Sequence, residues 1–325
     1  MRDERLIQSL GGHLPDLQVI ESHFSKSGGW NSFIGKLWHF WRNYIGLAFA
    51  ALRSSKRNDT LITWQVFVGV TIGLMIRMFK INRRLVILSF IYRPRTNRLV
   101  NKLRFTMTRL GLSAASIVVC YSSHEERVYS DIFSLPNTRF RFVRLGKTFT
   151  TGPCTVVKDT DRWVFSAGQS NRDYVTLIEA MRNVNARLTI ATTNNVAVPP
   201  DLSYRVVVEL LEGPNFLSTM AMSSLVVLPL EDTDYSSGQI VLINAMALGK
   251  CIVITETKWT RDYVVHGENV WLVKPKDPEA LSSSINLLLH DQGRRETIAH
   301  NAKECYENHF NGREFGRRIA DLLQH

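Results

Sequence analysis

The chain has 325 residues, 45% of them apolar, a formal net charge of +11 and four cysteines. That length exceeds what a single hydrophobic core usually serves, so two domains are expected, and the apolar content excludes wholesale disorder. Cys120, Cys154, Cys251 and Cys305 are scattered, with no C-x-x-C and no His pair at metal spacing. This excludes a disulfide scaffold and a zinc module and points to a reduced, cytosolic compartment.

The charge is unevenly placed. Residues 1–147 hold 23 Lys/Arg against 8 Asp/Glu, a net +15, whereas residues 148–325 hold 17 against 21, a net −4. A basic half of this kind needs an anionic partner. In chain order, Asp3 to Leu10 reads as a helix and Gln18 to Glu21 as a strand. Trp30 to Arg57 is free of acids and interleaves Trp30, Trp38 and Trp41 with Lys36, His39 and Arg42. Two readings of it stay open: a domain helix with a core-facing stripe, or a helix lying at an anionic membrane surface. Basic-aromatic interleaving also suits nucleic acid, but no helix-turn-helix, RNP or zinc module accompanies it, so no nucleic-acid partner is expected. Leu61 to Ile76 is uncharged but shorter than the ~20 residues of a membrane span. It reads as a strand, a turn at Gln65 and a buried helix from Gly69 to Met78. The start is polar rather than an apolar secretory h-region.

Further strands are expected at Leu85 to Phe90, Ile117 to Tyr121 and Arg141 to Val143. The second half alternates more regularly. Strands at Trp163 to Ser166, Arg187 to Ala191, Tyr204 to Val208, Leu225 to Leu230 and Cys251 to Thr255 are separated by helices. Those helices are Asp173 to Arg182, Asn215 to Met222 and Gln239 to Leu248, with Asp277 to His290 following. Such alternation argues doubly wound α/β architecture with a mainly parallel sheet, whose ligands sit at the carboxyl ends of the strands. Two loops lie there and can face one site, Ser166–Asp173 and Glu231–Gly238. The helix after Ser236-Ser237-Gly238 starts with unpaired N–H groups and a positive dipole end, the ordinary way to hold a phosphate.

The segment Asn244-Ala245-Met246-Ala247-Leu248-Gly249-Lys250 and its successors, His266-Gly267-Glu268-Asn269 and Pro275-Lys276-Asp277-Pro278-Glu279-Ala280-Leu281, carry a resemblance. In order and at this spacing they resemble the donor half of GT-B glycosyltransferases, the retaining enzymes of family 4, or group 1. The resemblance implies two Rossmann-like doubly wound domains facing a cleft; for the first, the expectation is either a sheet without its first strand or a start that lies inside the domain. The expected domains are residues 1–147 on the acceptor side and 148–311 for the nucleotide sugar. Residues 312–325 would form a helix crossing back to the first domain. It implies transfer of a sugar, of hexosyl type, from a nucleoside-diphosphate sugar to an acceptor. The expected acceptor is a lipid-linked oligosaccharide in surface polysaccharide assembly at the inner face of the cytoplasmic membrane, an anionic surface. No cofactor beyond the donor and no metal are implied, since Asp232-Thr233-Asp234 lies inside the phosphate loop.

The family's Gly-Arg…Lys clamp on the diphosphate falls here on Gly168, Gln169 and Arg172. Its paired acids fall on Ser236 and Asn244, so Asp234 is the acid nearest to taking over the first. Ser237, Gly238 and Gln239 are the expected distal-phosphate contacts, Glu212 a base-pocket residue, and His124 and Glu125 acid/base candidates in the first domain. The exchanged acids keep two other functions open, a catalytically silent GT-B scaffold and a sugar-nucleotide 2-epimerase.

Overall fold

The computed structural model describes residues 10–14, 16–19, 33–94, 96–148 and 162–324, and the side chains of 33–42 are not described. The chain forms two compact units, residues 16–143 and residues 144–325 together with 1–15. The expected helix at Asp3 to Leu10 lies almost wholly outside the described residues. Of the expected strand at Gln18 to Glu21, Gln18 and Val19 are irregular and the rest lies outside them.

Among the described residues of the 16–143 unit, the first helix is α1, Phe33–Ser54. Strand β1, Thr60–Thr63, then feeds helix α2, Val66–Met78, which begins directly after Gln65. Strand β2 is Arg84–Ile87, helix α3 Arg98–Ala114, strand β3 Ile117–Cys120, helix α4 Ser123–Phe133 and strand β4 Phe140–Phe142. The sheet runs β1-β2-β3-β4, all parallel. Strands that advance in one direction through right-handed crossovers send their helices to one face. No reversal of strand order occurs among the described residues of this unit. β2 and β3 are apolar and buried on both sides, which is why they read as continuous runs rather than alternating ones. Phe90, Tyr129, Phe133 and Phe140 fill the core with edge-on and tilted ring contacts.

The second unit has six parallel strands in the order β10-β9-β8-β5-β6-β7. They are β5 Trp163–Ala167, β6 Arg187–Ala191, β7 Val206–Glu209, β8 Leu225–Leu228, β9 Ile252–Thr255 and β10 Trp271–Val273. Helices α5 Tyr174–Met181, α6 Gly213–Met222, α7 Gln239–Ala247 and α8 Pro278–His290 connect or cover them. Helices α9, Gln292–Cys305, and α10, Gly312–Gln324, follow. The strand order reverses between β5 and β8, so the sheet is doubly wound and has a crevice at the carboxyl ends of those two strands.

Gly249 ends α7 as its sequence position predicts. It has φ +60°, its N–H bonds Met246 O, and Lys250 N–H bonds Ala245 O, the paired bonds of a Schellman stop. Lys250 Nζ reaches the Ala221 carbonyl at 3.0 Å, at the end of α6, so this lysine closes a neighbouring helix. Asp277 caps α8 through Ala280 N, and Asn269 accepts from Val265 N, so both later motif pieces are turn-builders.

Candidate functional site

The loop after β5 and the loop after β8 flank the reversal and are tied together. Arg172 and Leu230 form an isolated bridge, Asp173 N–H donates to Pro229 O, and Glu231 N–H donates to Asn171 O. Asn171 sits in left-handed backbone, φ +51°, and its side chain donates to Thr233 Oγ1 and accepts from the Tyr235 hydroxyl, both at 2.8 Å. Ser237 Oγ reaches Ser170 O at 3.2 Å. The sequence placed these loops at one end of the sheet, and the structure makes them one cradle.

Arg172 lies at its centre. Its Nε donates to Ala167 O at 2.8 Å and its Nη1 to Ser170 O at 2.7 Å. A Cβ on Gly168 would stand 2.3 Å from Nη2, and one on Gly238 3.3 Å from Nη1, so the guanidinium occupies space that only glycines leave. Both glycines also need positive φ, +118° and +102°. Burial lowers the pKa of Arg172, with only the Tyr174 phenol pulling the other way, and among the described residues no carboxylate pairs with it. An arginine stays charged through such a shift. A buried positive charge without its own anion is therefore aimed at the start of α7.

The N-cap of helix α7 is Gly238, which has no side chain to cap it. Its first N–H groups need an acceptor from elsewhere. Gln239 is 6% exposed, and among the described residues its Nε2 has no hydrogen-bond partner. An orphaned buried donor costs about 1–3 kcal/mol. Gln239→Met is therefore expected to raise the Tm of the unliganded protein and to shrink the further rise produced by pyrophosphate. A melt with and without pyrophosphate checks both signs.

Asn244, within the second turn of α7, is 4% exposed, and Lys147 Nζ lies 3.4 Å from its Oδ1. Lys147 is held by its backbone, its N–H donating to Phe310 O and its carbonyl accepting from the Tyr306 hydroxyl. Gly146 beside it has Asn311 O and Phe315 at its back, so the segment is threaded tightly against the Tyr306–Phe310 turn and the start of α10. No sequence signal singled out Lys147; its partner is 97 residues away.

The other expected residues sort as follows. Gly168, Arg172, Ser237, Gly238 and Gln239 come together. Gln169 is exposed at the lip of the cradle, where its carbonyl accepts from Asn194. Ser236 is 2% exposed at the mouth of α7. Asp234 is ion-paired with Lys258, 2.8 Å from its Nζ, on the exposed side of the loop, and Asp232 accepts from Lys258 N–H. Glu212 stands exposed before α6, at the carboxyl end of edge strand β7, two strands from β5. Asp173 caps α5, its carboxylate accepting from both Thr176 N–H and the Thr176 hydroxyl.

In the first unit, Ser122 to Glu126 forms the start of α4, directly after β3. Ser122 caps it through Glu125 N–H. Glu125 is wholly buried, its carboxylate accepting from Tyr121 N–H at 3.1 Å and the Tyr129 hydroxyl at 3.4 Å. Burial and this neighbouring charge raise the Tyr129 pKa. As placed, Glu125 fixes the strand-to-helix turn and has no surface to offer an acceptor. His124 is half-buried in the first turn of α4.

Two parallel α/β units, the second with an uncapped helix and an arginine at its reversal point, define the fold class as GT-B. Residues 206–305 match the family described as glycosyl transferases group 1. Over 82 residues the chain is 36% identical to the capsular polysaccharide biosynthesis glycosyltransferase CapM of Staphylococcus aureus, covering 25% of this chain and 22% of that one. Over 170 residues it is 28% identical to an uncharacterized glycosyltransferase of Methanocaldococcus jannaschii, 47% of this chain and 42% of that one. The chain thus spans less than half the length of these curated relatives. Among solved structures it is similar to Anabaena HepE in complex with UDP, with a TM-score of 0.69 and 19% identity over 87% of this chain and 84% of that. It is also similar to sucrose-phosphate synthase of Thermosynechococcus elongatus, with a TM-score of 0.73 and 16% identity over 100% of this chain and 93% of that.

Proposed function

We propose that the protein is a glycosyltransferase that moves a hexosyl group from a nucleoside-diphosphate sugar to an acceptor, with the diphosphate at the start of α7. The observation that carries this reading is the Arg172 guanidinium, with no carboxylate partner among the described residues, lodged between Gly168 and Gly238. The leaving nucleoside diphosphate gains negative charge as the glycosidic bond breaks. Arg172 and the α7 N–H groups meet that charge in place, without reorganising. Asn244 and Lys147 offer a hydrogen-bonding edge and a cation for the ribose side. Ser236 can contact the sugar but carries no charge to balance an oxocarbenium ion, and Asp234 is committed to Lys258. Leaving-group stabilisation is therefore the main contribution of these residues, with neither metal nor further cofactor in the proposal.

UDP is the first nucleotide to test, because the similar HepE structures were determined with UDP and UDP-glucose. The acceptor we propose is a lipid-linked saccharide in polysaccharide assembly, reached by peripheral association with the anionic inner face of the cytoplasmic membrane. The basic 1–147 half supports this, and no described helix is long and apolar enough to cross a membrane. Part of the Trp30–Arg57 candidate surface lies outside the described residues and side chains. A second reading, a sugar-nucleotide-binding protein without turnover, is favoured by Ser236 and Asn244 standing where the resembled family carries acids. A thermal-shift panel of sugar nucleotides followed by a transfer assay with lipid-linked acceptors separates the two. Stabilisation with product supports transfer, stabilisation without product supports the silent reading, and conversion of donor alone identifies an epimerase. No stabilisation by any sugar nucleotide would sink all three.

A further inference from the structure

Helix α3, Arg98–Ala114, is apolar on two faces. Thr108, Gly111 and Leu112 face inward and are buried. On the opposite face Leu99, Leu103 and Leu110 are 80%, 64% and 38% exposed. At 100° per residue these leucines fall within about 40° of one another, in a single outward stripe. Arg98, Lys102 and Arg109 form an exposed band along one edge of that stripe. From Thr60 to His124 the sequence contains ten Lys/Arg and no acid. Beside Leu110 opens a groove of about 540 Å³ between α1, α2 and α3, lined by Ile45, Leu74, Met75, Met78, Met107 and Leu110, with Arg77 among its walls. Met78 and Phe79 at the end of α2 are 67% and 59% exposed.

We propose that this face of the 16–143 unit is a docking surface for an anionic lipid bilayer. The leucine stripe of α3 enters the acyl boundary, the Arg98/Lys102/Arg109 band meets lipid phosphates, and the methionine-lined groove admits one acyl chain. The proposal rests on the membrane reading above and centres it on α3, with the Trp30–Arg57 segment contributing only Ile45, to the wall of the groove. The chemistry favours lipid over the other occupants. A leucine stripe with a flanking cation band and no acid is the pattern of a helix lying in the interface plane. Nucleic acid would be met by aromatic rings for stacking, and the outward face of α3 has none. Methionines adapt to a mobile chain because their side chains are unbranched and flexible.

The test is flotation of the full chain with vesicles of phosphatidylcholine alone and of an equimolar mixture with phosphatidylglycerol. Two double variants are compared with the parent, Leu99→Ser/Leu103→Ser and Arg98→Gln/Lys102→Gln, all at exposed positions. The parent is expected to float with the anionic vesicles only, and each variant to bind them roughly tenfold or more weakly. Pyrophosphate binding, read by calorimetry on the same samples, is expected to stay unchanged in both variants. Variants that float like the parent would overturn this placement and leave the membrane reading standing. A parent that floats with neither vesicle would overturn both, without touching the donor site. Concentration-dependent self-association that the leucine variant abolishes, with no flotation, would assign the face to a second copy and overturn the proposal.

Discussion

Arg172→Gln is expected to weaken UDP binding roughly tenfold to a hundredfold, the worth of a charge-assisted hydrogen-bond donor to a phosphate. The glutamine keeps a donor but loses the charge, so the α7 N–H groups would face the diphosphate alone. The substitution also removes the bonds to Ala167 O and Ser170 O that hold the two loops together, so the Tm falls as well. Arg172→Lys separates the two contributions. It keeps a point charge without the planar fork, so affinity is expected between parent and Arg172→Gln, with loop stability lost in both. Calorimetry with UDP at fixed salt reads the affinities. Equal affinity in parent and Arg172→Gln would show that the arginine serves only the loops.

Gly73→Ala is expected to give the largest stability loss outside the site. Helices α2 and α3 cross where Gly73 and Gly111 meet. A Cβ on Gly73 would stand 2.2 Å from Gly111 O, and one on Gly111 2.6 Å from Val70 O. These neighbours are backbone atoms and cannot swing aside, so the helices must separate. Overpacking of this kind costs about 1–3 kcal/mol, and the alanine recovers at most about 1 kcal/mol of helix propensity. The clash wins. Gly46→Ala on α1 is the control, because nothing lies within 4 Å of its added Cβ. It is expected to be neutral or slightly stabilising, so denaturant melts of the two variants should move in opposite directions. A Gly73→Ala protein as stable as its parent would contradict the close crossing.

Much of the second unit was legible because its signals are local. The β8 run, the Ser236-Ser237-Gly238 loop, α7 and the Gly249 stop follow one another within a short stretch, and each piece has its own backbone reason. The two loops at one strand end followed from doubly wound topology. What escaped depends on distance or on direction. Lys147 meets Asn244 across 97 residues, and no spacing rule connects them. Leu99, Leu103 and Leu110 have the periodicity of a core stripe, and periodicity gives no sign that this stripe turns outward. Arg172 was legible as a phosphate contact, but its bonds to Ala167 O and Ser170 O arise from how two loops pack. Ser122-x-x-Glu125 has the spelling of a capping box, a local signal that favours a helix start over an acid/base site. In the structure Ser122 does cap α4, while Glu125 reaches one residue further back, to Tyr121 N–H.

The central claim is that the reversal point between β5 and β8 holds a nucleoside diphosphate through Arg172 and the start of α7. Titration calorimetry of the full chain with UDP, GDP and ADP tests it most directly, with Arg172→Gln run alongside. The account predicts saturable one-site binding of at least one of them, weakened at least tenfold in the variant. No heat and no saturation with any of the three, from a protein that melts cooperatively, would contradict it.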